Sequence, residues 1–347
     1  MKIISKALSM TALVAAGALV LTSCAGGAGS EGGDSTTMTV VSYGGPYQEA
    51  QSTAFFQPFS EETGIEVVED SPTDYAQLRS MVESERPTWD LVLVANDFGT
   101  TADADYLEPI DYDVVDEDQL IEGAAQEYRV AADIEATVLA YRSDEYETAP
   151  SSWEDLFDTE KYPGKRMFNK HVAGGALEAA LLADGVAPED LFPLDVDRAL
   201  QKLDTIKDDI VWWETSAQSQ QLLASGEASM GLAWVGRAVD AGKEAPVGIS
   251  WESWLQVDAY WVIPKGAPNA ENAQEALGFL LQEEPQVEFA SLSDYGPANA
   301  AAAENPEAKE NENRPTNHLD TRVAIDDEWW GANQEDTDRK FQEWLLG

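Results

Sequence analysis

The stretch MTVVSYGGPYQEAQSTAFFQPFSEETGIEVVED, residues 38–70, decides the fold class. Met38 to Ser42 is short and rich in β-branched residues, which favour a pleated strand. Gly44, Gly45 and Pro46 interrupt it. Tyr47, Ala50, Ala54, Phe55 and Phe59 then recur near helical spacing up to Thr63, with Pro58 marking a kink or restart. Gly64 stands where a C′ glycine closes a helix, and Ile65 to Glu69 returns to a strand. Strand, helix and strand in this order predict a parallel βαβ unit and an α/β fold.

Toward the C-terminus the alternation continues. Tyr75 to Glu85 reads as a helix and Asp90 to Val94 as a buried strand. Ala136 to Tyr141 is a strand, and Ser151-Ser152-Trp153-Glu154-Asp155-Leu156 opens a helix with a serine cap. Residues 176–184, 197–207, 271–281 and 285–292 are helical, and Asp258 to Ile263 is a strand ended by Pro264. Residues 305–317 read as a polar, proline-broken surface loop. Trp329-Trp330 precede an amphipathic helix from Asp336 to Leu346. No repeat of fixed period is present.

Toward the N-terminus, Lys2 and Lys6 precede an apolar run from Ala7 to Val20, shorter than the about 20 residues that span a bilayer. Small residues follow, completing the three-part form of an export signal over residues 1–23. Leu21-Thr22-Ser23-Cys24 resembles the lipobox of bacterial lipoproteins, and Cys24 is the only cysteine. The resemblance implies lipidation of Cys24, which becomes the first residue of the mature chain. Residues 24–37 read as the cysteine to be lipidated followed by a flexible Gly/Ala/Ser linker. The expected location is the outer face of the cytoplasmic membrane, at the cell surface or in a periplasm, with lipid as the only membrane attachment. A lone cysteine rules out an intramolecular disulfide. Gly27 to Gly32 match G-x-G-x-x-G, but no strand precedes them, so the dinucleotide reading fails its context.

Among 347 residues, 21 are Lys or Arg and 65 are Asp or Glu, a formal charge of −44. Such a surface repels nucleic acid and anionic lipid, and it speaks to solubility rather than to fold. A hydrolase would need a nucleophile and a base; His171 and His318 are the only histidines, and neither G-x-S-x-G nor H-E-x-x-H occurs. Both histidines are read as surface residues. A ferric-iron site would call for an oxygen-rich set, and no adjacent tyrosine pair occurs. Neither a metal nor a cofactor is expected, and no catalytic residue is assigned.

Six of the 11 tryptophans fall between Trp212 and Trp261, beside polar residues. Aromatic faces attract cations by about 0.5–2 kcal/mol, and a carboxylate beside them fixes an ammonium group. The competing reading places these tryptophans in the core.

Tyr43-Gly44-Gly45-Pro46-Tyr47-Gln48-Glu49-Ala50, then Glu62-Thr63-Gly64-Ile65, resemble the start of extracellular solute-binding proteins of ABC importers, most closely the spermidine/putrescine branch. Leu181 to Val186, Pro193 to Arg198, Tyr260 to Asn269, Tyr295 to Asn299 and Trp329-Trp330 continue the resemblance over residues 38–347. It implies two α/β lobes of the type II periplasmic-binding-protein kind, solute between them, an ABC permease as partner and a monomer in solution. The expected division is 38–138 with 257–300 as one lobe, and 139–256 with 301–347 as the other.

Residue by residue, the resemblance points to Tyr47, Trp234 and Tyr295 as cleft aromatics, with Tyr43, Gly44 and Gly45 in the first turn and Asn96 and Asp97 after a strand. Trp213, Glu214, Ser216, Gln218, Asp258 and Tyr260 complete the candidates, with Arg237 beside Trp234. Three departures stand out, the first being that Ala259 holds the position of the usual Asp before Tyr260-Trp261, with Asp258 one residue early. Val235 replaces the usual Asn, and His171 to Gly175 lack the acidic pair of polyamine binders, leaving Glu178 nearest. A putrescine- or spermidine-like amine ranks first. A GABA-like zwitterion is the alternative, with Arg237 on its carboxylate as a bidentate partner.

Overall fold

The computed structural model describes residues 36–347. The export signal, Cys24 and nearly all of the linker lie outside them. The strands are β1 (Thr37–Val41), β2 (Glu66–Asp70), β3 (Leu91–Val94), β4 (Leu107–Glu108), β5 (Val130–Ile134), β6 (Ala136–Arg142), β7 (Arg166–Asn169), β8 (Ile210–Trp213), β9 (Met230–Trp234), β10 (Val247–Gln256), β11 (Ala259–Pro264), β12 (Gly296–Pro297) and β13 (Val323–Ala324). They form two sheets, one ordered β12-β5-β11-β3-β1-β2 with β4 on β11, the other β13-β10-β6-β9-β7-β8.

The expected βαβ unit is present: β1 pairs in parallel with both β2 and β3. β3 is buried at all four positions, as a strand covered on both faces must be, which explains its continuous apolar reading. The helical run from Gly45 to Thr63 does not break at Pro58. A π-helical turn over Ser52–Phe56 comes just before it, and the wider turn accommodates the proline's missing N–H. Gly64 closes the run at φ 78°, its N–H on the Ser60 carbonyl at 3.0 Å.

Each sheet also carries antiparallel strands, because the chain passes between the sheets. β5 ends at Ile134, and one residue later β6 begins in the other sheet. β10 ends at Gln256, and after Val257-Asp258 the chain returns as β11, antiparallel to β3 and β5. Ala136 to Val138 therefore pair within the second sheet, so the crossing falls at Glu135 and not after 138. The helices Ala300–Glu304 and Pro306–Lys309 pack on the helix Glu283–Leu292, beside the first sheet, not with the second.

Residues 305–317 are not a simple surface loop. Arg314 is buried, and its guanidinium donates to the carbonyls of Ala308, Ala290, Ser293 and Tyr295. A charge placed on carbonyls at helix ends is solvated by the fold, so the polar segment is drawn inward. The last helix begins at Asp327 rather than Asp336, because Asp326 caps it by accepting from the Trp329 N–H at 2.9 Å. No helix among the described residues is long and apolar enough to cross a membrane.

Candidate ligand-binding cleft

Between the two sheets lies a cavity of about 480 Å³, within the range of small-molecule sites. Its lining comes from the carboxyl ends of strands, where α/β folds place their ligands. The turn after β1 gives Tyr43, Gly44, Gly45, Pro46 and Tyr47, and the end of β3 gives Ala95 and Asn96. The second sheet gives His171, Ala173 and Gly174 after β7, Ser216 after β8, and Trp234 and Arg237 at and after β9. The two crossings contribute Glu135, Val257, Asp258 and Ala259, and Tyr295 enters ahead of β12.

One wall is aromatic. Tyr47 meets Tyr43 with centroids 5.8 Å apart, and Tyr295 edge-on at 5.1 Å. From the second sheet, Trp234 is held edge-on at 5.1 Å by Trp213. The floor is acidic. The Glu135 N–H donates to Asp258 Oδ1 at 3.2 Å, and Gln256 Nε2 to Asp258 Oδ2 at 2.5 Å. Behind them, Tyr47 donates its hydroxyl to Asp133 Oδ2, and Asp133 Oδ1 is buried without a partner. Burial pushes the Asp133 carboxyl up to about 7. Burial also raises Glu135, helped by the charges of Asp133 and Asp258 and opposed by Arg237. Asp258 rises well above the carboxylate range, again chiefly by burial.

Arg237 supplies positive charge to the cavity. Its hydrogen-bond partner among the described residues is Asp240, one turn along its helix Val235–Gly242, at 3.3 Å. Ser216 starts the helix Ser216–Ser225, which packs against the Arg237 helix and presents its positive dipole end to the cavity. His171 pairs with Asp97 across the lobes at 3.2 Å. Burial pulls the imidazole down, but the Asp97 hydrogen bond and charge outweigh it and its pKa is raised. Burial alone would raise Asp97; the His171, Gln334 and Tyr75 hydrogen bonds lower it instead.

Of the sequence candidates, Tyr43, Gly44, Gly45, Tyr47, Asn96, Ser216, Trp234, Arg237, Asp258 and Tyr295 line this cavity. The Gly44 N–H is already taken by Gln48 Oε1 at 3.0 Å. Five candidates lie elsewhere. Asp97 is turned into the cross-lobe contact with His171 and Gln334. Trp213 is core, donating to the Leu232 carbonyl, and reaches the cavity only through Trp234. Glu214 is exposed on Lys170 at 2.5 Å, and Gln218 closes a capping box with Thr215. Tyr260 points the other way, with its hydroxyl on Asp327 and Arg129 stacked on its ring at 3.8 Å.

The tryptophan cluster divides likewise: Trp213, Trp254 and Trp261 are core, and Trp234 alone of the six lines the cavity. Glu178 is buried in its helix, accepting from Trp330 Nε1 at 2.8 Å. Sequence reasoning missed Glu135, Asp133 and the placement of His171. The signal for Glu135 was present, as an acid immediately before the apolar run Ala136–Tyr141.

Two α/β sheets joined by crossing strands around a solute-sized cavity define a two-lobed, cleft-type binding protein. Residues 54–316 match the family of bacterial extracellular solute-binding proteins, and the chain belongs to that family. A gamma-aminobutyric acid-binding protein of Pseudomonas aeruginosa is 35% identical over 321 residues, 89% of this chain and 91% of that one. The solved structure of a GABA receptor is 37% identical, with a TM-score of 0.83 over 89% of this chain and 97% of that one. The A. tumefaciens R10 protein AgtB, solved with agropinic acid, is 33% identical, with a TM-score of 0.76 over 90% and 99%.

Proposed function

We propose that this chain is the solute-binding component of an ABC importer whose cleft takes a γ-aminobutyrate-like zwitterion. The observation that carries the reading is Arg237, a cavity-lining guanidinium whose hydrogen-bond partner among the described residues is Asp240 at 3.3 Å. A guanidinium open to a cavity suits a carboxylate. The acids of the floor suit the ammonium group, and the aromatic wall covers the methylenes between them. A diamine would place a second cation against Arg237. The polyamine ranking drawn from the sequence therefore gives way to the zwitterion. The relatives described as GABA proteins support the same choice.

In this reading the crossings at Glu135 and Val257-Asp258 are the hinge. Solute touching both lobes favours the closed state, which the permease reads. The protein works as a monomer, exported and held by lipid on Cys24 to the outer face of the cytoplasmic membrane.

Isothermal titration with GABA, putrescine and spermidine tests the solute. GABA binds, and at a hundredfold excess over Kd it stabilises the protein by about 2.7 kcal/mol. Binding of the diamine alone would replace this reading. Mass spectrometry of the membrane-extracted protein tests the anchor.

A further inference from the structure

Three carboxylates meet where the lobes join. Asp133 lies near the end of β5, Glu135 is the single residue between β5 and β6, and Asp258 immediately precedes β11. Ala259 stands opposite Asp133 in the antiparallel β5–β11 pair, so the two crossings run side by side. The Glu135 N–H bond to Asp258 ties them together. Asp133 is fully buried and Asp258 nearly so, and Glu135 and Asp258 both border the cavity.

The titratable and charged groups facing this cluster are Tyr43 and Tyr47 from the first turn, Tyr295 before β12, Tyr260 on β11, Arg237 from its helix, and Asp327 behind Asp258, which is ion-paired with Arg129 at 2.7 Å. Arg129 is taken by Asp327, which leaves Arg237 as the cation facing the three carboxylates. Asp133 and Asp258 are buried and Glu135 is half-buried beside them, so three ionised carboxylates facing one guanidinium are strongly disfavoured, which favours a proton in place of the missing positive charge. Asp133 Oδ1, buried and unpartnered, is the oxygen this leaves unsatisfied. Among the described residues no group of three or more His, Cys, Asp or Glu is arranged to hold a metal ion.

We propose that the empty cleft keeps a proton on the Asp133–Glu135–Asp258 cluster and exchanges it for the ammonium group of the solute. One carboxyl O–H bond breaks and its proton passes to water or buffer. The freed carboxylate pairs with the ammonium, which keeps its own three hydrogens, so the charge of the cluster region is conserved. The inference rests on the reading that the solute carries an ammonium group. It adds that binding is linked to pH. Below the titration range of the cluster, affinity falls up to about tenfold per pH unit, the limit for one displaced proton.

The test is calorimetry of GABA binding to the full protein near pH 7, in buffers of different ionisation enthalpy. The slope of observed enthalpy against buffer enthalpy gives the protons released. About one proton leaves per solute bound, the balance for one ammonium on one carboxylate. Glu135→Gln and Asp133→Asn lower that number. Glu178→Gln, which removes a buried acid outside the cavity, leaves it unchanged. A ligand-free readout stands beside it: the infrared band of protonated carboxyls at neutral pH, diminished in Glu135→Gln. Binding of GABA with zero proton release and an unchanged band overturns the exchange and leaves the solute reading standing. Proton release with another primary amine but no GABA binding does the reverse. No binding of GABA, putrescine or spermidine overturns both.

Discussion

Replacing Arg237 with glutamine is the sharpest perturbation of the site. Glutamine still donates a hydrogen bond toward the cavity but carries no charge. Among the described residues the guanidinium pairs with Asp240, three residues along the same helix at 3.3 Å, and its side chain is 31% exposed. An exposed helical pair of that spacing contributes under about 0.5 kcal/mol, so the melting temperature should barely move. The binding cost is larger. Removing one member of a hydrogen-bonded charge pair costs roughly 2–5 kcal/mol, and the partial exposure places Arg237 at the low end. About 2–3 kcal/mol corresponds to a rise in Kd of about 30- to 150-fold for GABA. Putrescine brings no carboxylate, so its affinity should not fall. Calorimetry with both solutes reads the two numbers on one preparation. A folded Arg237→Gln protein whose GABA affinity stays within about threefold of the parent would refute the assignment of the carboxylate to Arg237.

Three further outcomes follow from the structure. Trp234→Ala should weaken amine binding by about 1–2 kcal/mol, about 5- to 30-fold in Kd, while near-UV circular dichroism keeps the signal of the buried Trp213; undiminished affinity would take Trp234 out of the site. Glu178 is pushed up to about 7 by burial, so its contribution to stability is full below its ordinary carboxyl value and is lost as pH rises through about 7. Glu178→Gln keeps the Trp330 bond, so it should raise the melting temperature at pH 8 well above the change at pH 5, by up to about 3 kcal/mol in stability; equal changes at both pH values would contradict it. A Cβ on Gly231 would lie 2.0 Å from the Met167 carbonyl oxygen across the β7–β9 pair, so Gly231→Ala should cost about 3 kcal/mol or prevent folding. Denaturant midpoints equal to the parent would mean that this strand register is wrong.

β1, β2, β3 and β11 of the first sheet were legible because their signals are local, whereas β4, β5 and β12 were not read. β1, β3 and β11 are apolar runs bounded by glycine, proline or acid, and Gly64 ends its helix at the expected left-handed turn. β7 to β9 went unread. Arg166–Asn169, Ile210–Trp213 and Met230–Trp234 are four or five residues each, too short for either period to show. β7 even begins with a buried arginine, satisfied by the carbonyls of Leu156, Asp158, Tyr162 and Gly164. In the site, aromatic residues at strand ends were found, whereas Tyr260 and Trp213 were misplaced. In a strand, one residue's shift turns a side chain to the opposite face, and motif position alone does not give that face.

By itself the sequence determined the α/β class, the solute-binding family and the turn that supplies Tyr43 to Tyr47, because each depends on neighbours along the chain. Only the tertiary structure decided the acid content of the cleft. Asp133, Glu135 and Asp258 stand more than a hundred residues apart at the extreme, and they become one cluster because two crossing strands run side by side. Proximity of that kind sets burial and charge, and burial and charge set which group receives a cation.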